Sequence, residues 1–295
     1  MNYAVVIVTC NRLELLKECV ASVEAQTYPV SKVVIVNNAS SDGTAQYLDS
    51  LDEKYIVLHQ QTNLGGAGGF QLGIGCAAEL PDIDYVLIID DDAMISPDYI
   101  RFCDEYLSAH AGCPAVSGTV MTDGQIQLNH RRVISNALIF SEKNVPLSAY
   151  QRDTFVYRLS TFCGLMIRQS EIRKIGLPKA EYFISYDDTE YSMRLPQIVN
   201  INAATLNHKT KLTQDNSTFY GRMNWRTYYI HRNRYDLIKS HCSKLSSYLV
   251  PLESAVFMLG AVLAGRKDMV PILKAACEDG YRGNLGKNPK YLPGK

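Results

Sequence analysis

Apolar and polar positions alternate along the first hundred residues in a βα rhythm. Ala4–Thr9 is a nearly unbroken β-branched run, the pattern of a strand buried on both faces. Arg12–Ala25 then carries Leu15, Leu16, Cys19, Val20 and Val23 at helical spacing. Lys32–Val36 reads as a second strand, and the turn Ser40-Ser41-Asp42-Gly43 caps a helix over Thr44–Leu51. Tyr55–His59 is a third strand. The glycine-rich stretch Asn63–Gly69 reads as a loop before a helix reaching Ala78, and Tyr85–Ile89 is a fourth strand running into Asp90, Asp91 and Asp92. Repeated βα units predict an α/β fold, a mostly parallel sheet flanked by helices, with ligands beyond the carboxyl ends of the strands. Residues 115–165 read as shorter strands and loops, whereas Asp187–Leu195 and Trp225–His241 read as helices. The last dozen residues, rich in Gly, Lys and Pro, read as a loose tail.

Composition narrows this picture. A chain of 295 residues with 46% hydrophobic and 20% charged residues is ordinary for a globular protein. It is long for one simple domain and short for two. The expected division is a catalytic domain over 1–220 with a helical extension over 221–295 packed on it. Net charge is zero but polarised: residues 1–206 hold 15 basic against 24 acidic side chains, and residues 207–295 hold 15 against 6. The acidic half suits a cation site, and the basic tail suits phosphates or an anionic membrane surface. No CxxC pair occurs among the eight cysteines, which points to reduced thiols in the cytoplasm. No basic segment precedes the short apolar run Ala4–Val8, so no secretory leader is expected. The apolar stretch Tyr248–Ala264 contains Pro251 and Glu253, falls short of a span, and reads as a buried or interfacial helix.

Chemistry concentrates in a few places. Three carboxylates after an apolar strand repel one another unless a cation or solvent compensates. In extended backbone Asp90 and Asp92 share a face, so both can meet one Mg²⁺ or Mn²⁺ while Asp91 faces elsewhere. Asp187-Asp188-Thr189-Glu190 admits two readings. Asp187 and Glu190 match a capping-box pattern, and Asp188 is left free to act as a base toward a sugar hydroxyl. His208 is a candidate third metal ligand. The backbone of Asn63–Gly69 could approach a diphosphate, but its glycine spacing and place after the third strand do not fit a dinucleotide fingerprint. No P-loop is present, and the basic tail lacks a nucleic-acid reading motif.

Taken in order, Val6-Ile7-Val8-Thr9-Cys10-Asn11-Arg12, Val36-Asn37-Asn38-Ala39-Ser40-Ser41-Asp42-Gly43-Thr44, Asn63–Phe70, Asp90–Ala93, Phe183–Tyr191 and Tyr228-Tyr229 with Arg232-Asn233 form a familiar set. The chain resembles family 2 glycosyltransferases of GT-A fold, in particular the galactofuranosyl- and rhamnosyltransferase-like branch. The resemblance implies donor contacts from Thr9, Asn11, Arg12, Asn38, Asp42, Asn63, Gly65 and Asp91. It implies a divalent cation (Mn²⁺ or Mg²⁺) on Asp90, Asp92 and His208, Asp188 as catalytic base, and Asp187 and Glu190 in acceptor or sugar contacts. Asn38 stands where the broader family often has Asp, which leaves a UDP- or dTDP-sugar donor open. The implied reaction is inverting transfer to a glycan acceptor in bacterial surface polysaccharide synthesis. Acceptors in this family are often lipid-linked at the inner membrane face. The basic tail and the 248–264 segment permit peripheral attachment there, or equally a homodimer interface. Two rivals remain: a nucleotidyltransferase, which would carry a basic glycine-rich loop after the first strand, and a non-catalytic GT-A module, which would have lost these acids.

Overall fold

A computed structural model describes residues 1–209 and 219–292. In chain order the first half runs β1 (Tyr3–Thr9), α1 (Leu13–Glu24), β2 (Lys32–Asn37), α2 (Thr44–Asp49), β3 (Tyr55–His59), α3 (Gly65–Glu79), β4 (Tyr85–Asp90), β5 (Ala93–Ile95), α4 (Tyr99–Ala109) and β6 (Ala115–Thr122). There follow β7 (Gln125–Ile126), β8 (Arg131–Asn136), β9 (Ser141–Asn144), β10 (Thr154–Tyr157), β11 (Leu159–Ser160), β12 (Leu165–Arg168), α5 (Gln169–Ile175), α6 (Asp187–Met193) and β13 (Ile198–His208). The chain ends with α7 (Arg226–His241), α8 (Lys244–Leu263) and α9 (Val270–Arg282).

Among the described residues the main sheet is ordered β10-β13-β6-β12-β4-β1-β2-β3, with β5 on β13 and β7 on β6. The pairs β4-β1-β2-β3 and β6-β13 are parallel, while β12 lies antiparallel between β4 and β6 and β10 antiparallel on β13. Both faces are covered, and the period of two shows directly. Tyr3, Val5 and Ile7 pack with Leu16, Val20, Ile100 and Cys103 of α1 and α4. Ala4 and Val6 pack with Phe70, Ile74 and Ala77 of α3 and with Ile172 of α5. Each such buried aliphatic side chain contributes about 1.5–3 kcal/mol. A small sheet, β11-β8-β9, stands beside this core, and α7, α8 and α9 pack together at the C-terminal end.

Two expectations change. The glycine run is not a loop: α3 begins at Gly65 and includes it. Gly69 and Gly73 face β1, where an added Cβ would stand 2.5 Å from a Cγ1 of Val8 and of Val6 respectively. Close packing on the strand therefore outweighs the weak helix propensity of glycine. The tail is also not loose through Leu292. Tyr291 stacks on Tyr228 at 4.1 Å, the Gly286 amide donates to the Glu181 carbonyl, and Arg232 donates to the Gly286 carbonyl. A Gly73→Val substitution should lift α3 from the sheet and cost about 1–3 kcal/mol. Urea unfolding of the variant, with an unchanged midpoint, would show that this close approach is dispensable.

Candidate active site

The carboxyl ends of β1, β2 and β4, the start of α3 and the start of α6 open onto one cavity of about 690 Å³. Thr9, Arg12, Asn38, Asn63, Gly65, Asp90, Asp91, Asp187 and Asp188 all line it. Residues from five separated stretches thus converge where an open α/β sheet is expected to bind ligands.

The three consecutive acids have different surroundings. Asp91 accepts from Thr9 Oγ1 at 2.7 Å and from Arg12 at 3.2 Å. Burial nonetheless pushes its pKa up to about 6, against the opposing pull of Thr9 and Arg12. Asp90 lacks such support: burial first, and then the charge of Asp92, push it up to about 7, although His208 pulls the other way. Asp92 accepts from Arg12 at 2.8 Å and lies 3.1 Å from Nε2 of His208. Burial would raise its pKa, but His208 and Arg12 outweigh it and hold it low. His208 is reciprocally raised: desolvation disfavours its charge, but the Asp92 contact wins. Its ring meets His130 edge-on at 5.2 Å. His130 itself is held down to about 2, by burial and then by Arg131.

This corner fits a divalent cation. Asp92 Oδ1 is buried and has no hydrogen bond of acceptable geometry. Potential ligand atoms of Asp90, Cys163 and His208 lie within 4.8 Å of one another. Cys163 is a buried thiol whose pKa burial drives well above its ordinary value, so it remains a poor partner for a hard cation. Of that group Asp90 and His208 offer ligand atoms suited to a hard cation, while Asp92 stands outside it, engaged by Arg12 and beside His208.

The wall formed by Asn38 and Asn63 is internally braced. Asn38 donates to the Gly65 carbonyl at 2.9 Å and accepts from the Leu64 amide at 2.8 Å. Asn63 accepts from the Gly65 amide at 2.7 Å. Gly65 has φ +75°, and a Cβ there would stand 2.0 Å from the Phe183 carbonyl oxygen, so the position admits only glycine. Asn11 and Asp42 do not line the cavity. Asn11 accepts from the Ser41 amide, and Asp42 accepts from the Leu13 amide and from Thr44, so both shape the β1 and β2 loops.

The acidic end of α6 is held by strain and clamping. Phe183, Ser185 and Tyr186 all have positive φ, at 63°, 69° and 66°. Non-glycine residues in this region persist only where surroundings over-determine them. Here Asn233 donates to the carbonyls of Tyr182, Ile184 and Ser185, and Arg232 to those of Glu181 and Tyr182. Both clamping residues are fully buried. The turn delivers Asp187 and Asp188 into the cavity. Burial raises both, reinforced at Asp187 by Asp188 and opposed at Asp188 by Arg132. No capping box forms: Tyr186 is the N-cap and makes no side-chain cap bond. Glu190 is also not in the cavity. It is buried in contacts with Arg194 at 2.6 Å and His241 at 2.7 Å, which neutralise it behind the site.

Several lining residues escape a reading of the sequence. His130, Thr161 and Phe162 arrive through the segments beside β8 and β12, and Trp225, Lys287 and Leu292 through the C-terminal packing. Lys287 donates to the Asn63 carbonyl at 3.3 Å across 224 positions of sequence. The Tyr228-Tyr229 and Arg232-Asn233 pairs were the available signal that α7 serves the site.

This sheet order, with acids at the end of β4 and the start of α6, defines a GT-A fold. Residues 4–168 match Glycosyl transferase family 2, and the chain belongs to that family. It is 26% identical over 332 aligned residues to the galactofuranosyltransferase GlfT2 of Mycolicibacterium smegmatis, covering 94% of this chain and 50% of that one. It is 29% identical over 195 residues to GlfT1 of the same organism, covering 64% of each. The chain spans about half the length of GlfT2. Its fold matches a crystal structure of GalNAc-T7 with UDP, GalNAc and Mn²⁺ at a TM-score of 0.65 and 14% identity, over 97% of this chain and 55% of that one.

Replacing Asn233 by Ala removes its bonds to the Ile184 and Ser185 carbonyls, while Arg232 still serves Tyr182, and should cost about 1–3 kcal/mol, read as a lower thermal midpoint. An unchanged midpoint would remove the clamp from the account. Glu190 titrates below its ordinary 4.5 in the fold, where bonds from His241 and Arg194 outweigh the raising effect of burial. Its pairing therefore stabilises above that value and is lost as pH falls through the lower, folded one. Glu190→Gln should be less stable than wild type at pH 7, with the gap closing under acid. A gap that widens in acid contradicts this sign.

Proposed function

We propose that this chain transfers a glycosyl group, with inversion, from a nucleoside-diphosphate sugar to a hydroxyl of a glycan acceptor. The observation that carries the reading is the meeting of Asp188 with Asp90, Thr9, Asn38 and Gly65 in one cavity. In this reading Asp188 accepts the acceptor hydroxyl proton. The oxygen bonds to the anomeric carbon, and the bond from that carbon to the diphosphate oxygen breaks with its electron pair retained by the diphosphate. Burial raises the pKa of Asp188, which strengthens it as a base. A divalent cation, Mn²⁺ or Mg²⁺, held by Asp90, Asp92 and His208 would supply charge neutralisation for the diphosphate. Arg12 ties Asp91 to Asp92, and Thr9 holds the far oxygen of Asp91, so these residues fix the acidic corner beside the donor.

Galactofuranose from UDP is the favoured donor, on the strength of the two galactofuranosyltransferase relatives, with rhamnose from dTDP as the second choice. The donor wall comprises Asn38, Asn63 and Gly65, with Asn11 and Asp42 shaping its loops. Asp187 lies beside Asp188 on the acceptor side. Glu190, being fully paired, acts through the position of α6 instead of contacting sugar. Residues 1–220 are the catalytic unit, and residues 221–295 form an extension that lines the cavity with Trp225, Arg226 and Lys287. The setting is bacterial surface polysaccharide synthesis in the cytoplasm, with a lipid-linked acceptor met at the inner face of the membrane.

Thermal melts with UDP, dTDP and their sugars, with and without Mn²⁺, test the donor site. A cation-dependent rise with one nucleotide is expected, and it should disappear in Asp92→Asn. Asp188→Asn should keep that rise while turnover falls about 10²–10⁴-fold. Loss of donor affinity in Asp188→Asn, with turnover of the remaining complex intact, would refute its role as base.

A further inference from the structure

The helix α8 is longer than the apolar stretch in the sequence suggests. It covers 20 residues, with a mean hydropathy of 1.5 over an 18-residue window, enough by length and composition to cross a membrane, yet one side of it is packed on the protein. Ser246, Val250, Ser254 and Ala261 are buried, and Glu253 is paired with Arg234 at 2.6 Å. A spanning role would break that face from its partners. The opposite face carries Leu245, Tyr248, Leu252, Val256, Leu259 and Leu263, each 57–79% exposed.

Two kinds of partner could cover this face, and its breadth separates them. A seam for a second helix is narrow, repeats at two positions in seven and is flanked by charged side chains. Here the six residues, with exposed Pro251, Ala255 and Val262, fill an arc of roughly 140° at 3.6 residues per turn. Between Lys244 and Arg266 the only charged residue is Glu253, already paired on the other side. A wide uncharged arc suits hydrocarbon better than a protein seam. Lys244 opens the helix and Lys267 follows its end, both exposed, while Asp268 beside Lys267 is engaged by Arg266. Beside α8, exposed Phe219 and Ile230 extend the apolar surface, and Arg222 lines the same groove of about 260 Å³.

We propose that the outer face of α8 is a bilayer-docking surface, which lays the helix in the boundary between headgroups and acyl chains of an anionic membrane. Leu252, Val256 and Leu259 enter the acyl region, Tyr248 sits near the headgroups, and Lys244, Lys267 and Arg222 meet lipid phosphates. The docking surface rests on the peripheral contact proposed above and specifies where it is made; it is independent of the assignment of the catalytic residues.

The test is co-sedimentation of the full chain with vesicles of phosphatidylcholine alone and with added phosphatidylglycerol. Wild type should sediment with the anionic vesicles, and the double variant Leu252→Glu/Leu259→Glu should bind them about tenfold less or worse. Both substitutions point to solvent, so its thermal midpoint and any nucleotide-induced shift should match wild type. That comparison separates failure of docking from failure of the donor site. Wild type that stays in the supernatant with both vesicles overturns the proposal, as does a double variant that binds as well as wild type. A wild-type dimer split to monomers by the same two substitutions, seen by analytical ultracentrifugation, also overturns it and assigns the face to a second copy.

Discussion

The grip of Arg232 and Asn233 on the carbonyls of residues 181–185 is the contact on which the site depends. A turn with three non-glycine residues at positive φ does not hold itself, because each left-handed residue costs of order 1–3 kcal/mol. The clamp places side-chain donors where the backbone has no strand or helix to satisfy it. From that fixed turn, α6 starts in one direction only, and Asp187 and Asp188 enter the cavity. The same turn sets the other wall, since the Phe183 carbonyl accepts from the Ala67 amide and leaves no room for a side chain at Gly65. The wall of Asn38 and Gly65 and the acidic start of α6 are therefore two sides of one piece, and α7 belongs to the cavity as much as the sheet does.

Electrostatics adds a second constraint. Five carboxylates, Asp90, Asp91, Asp92, Asp187 and Asp188, crowd one region, and the protein answers each differently. Arg12 and Thr9 hold Asp91, Arg12 and His208 hold Asp92, and Asp90 is left exposed to its neighbours' charge. His130, edge-on to His208 and held low by burial, adds no positive charge to the corner. The cavity thus retains unspent negative potential at Asp90, the condition under which a divalent cation is welcome.

The first hundred residues were legible because their strands are buried on both faces, so that β-branched runs and helical spacing carry little ambiguity. The Asp90–Asp92 and Asp187–Glu190 clusters stood out for the same local reason. What the sequence hid was decided at a distance. The start of α3 depends on Val6 and Val8 tolerating a close helix, which no helix propensity records. Glu190 looked like a cap or an acceptor contact, but Arg194 and His241 claim it. Cys163 comes beside His208 at the start of the β12 insertion between β4 and β6, and Thr161 just before it holds His130 there. Likewise, the tail was read as loose from its composition, although Tyr228, Tyr229 and Arg232 fasten it.

That fastening has a consequence for the order in which the protein is made. The cavity begins at Val8 and includes Leu292, and Lys287 closes on Asn63 from the far end of the sequence. On a ribosome, the β1–β4 sheet can form while the later helices are still being synthesised. The acidic cleft then remains roofless until α7 and the 284–292 segment have emerged. A nascent chain would thus form the ends of β1, β2 and β4 before the Phe183 turn and α7 can brace the wall at Gly65, so the cleft takes its shape only after those later segments have been made.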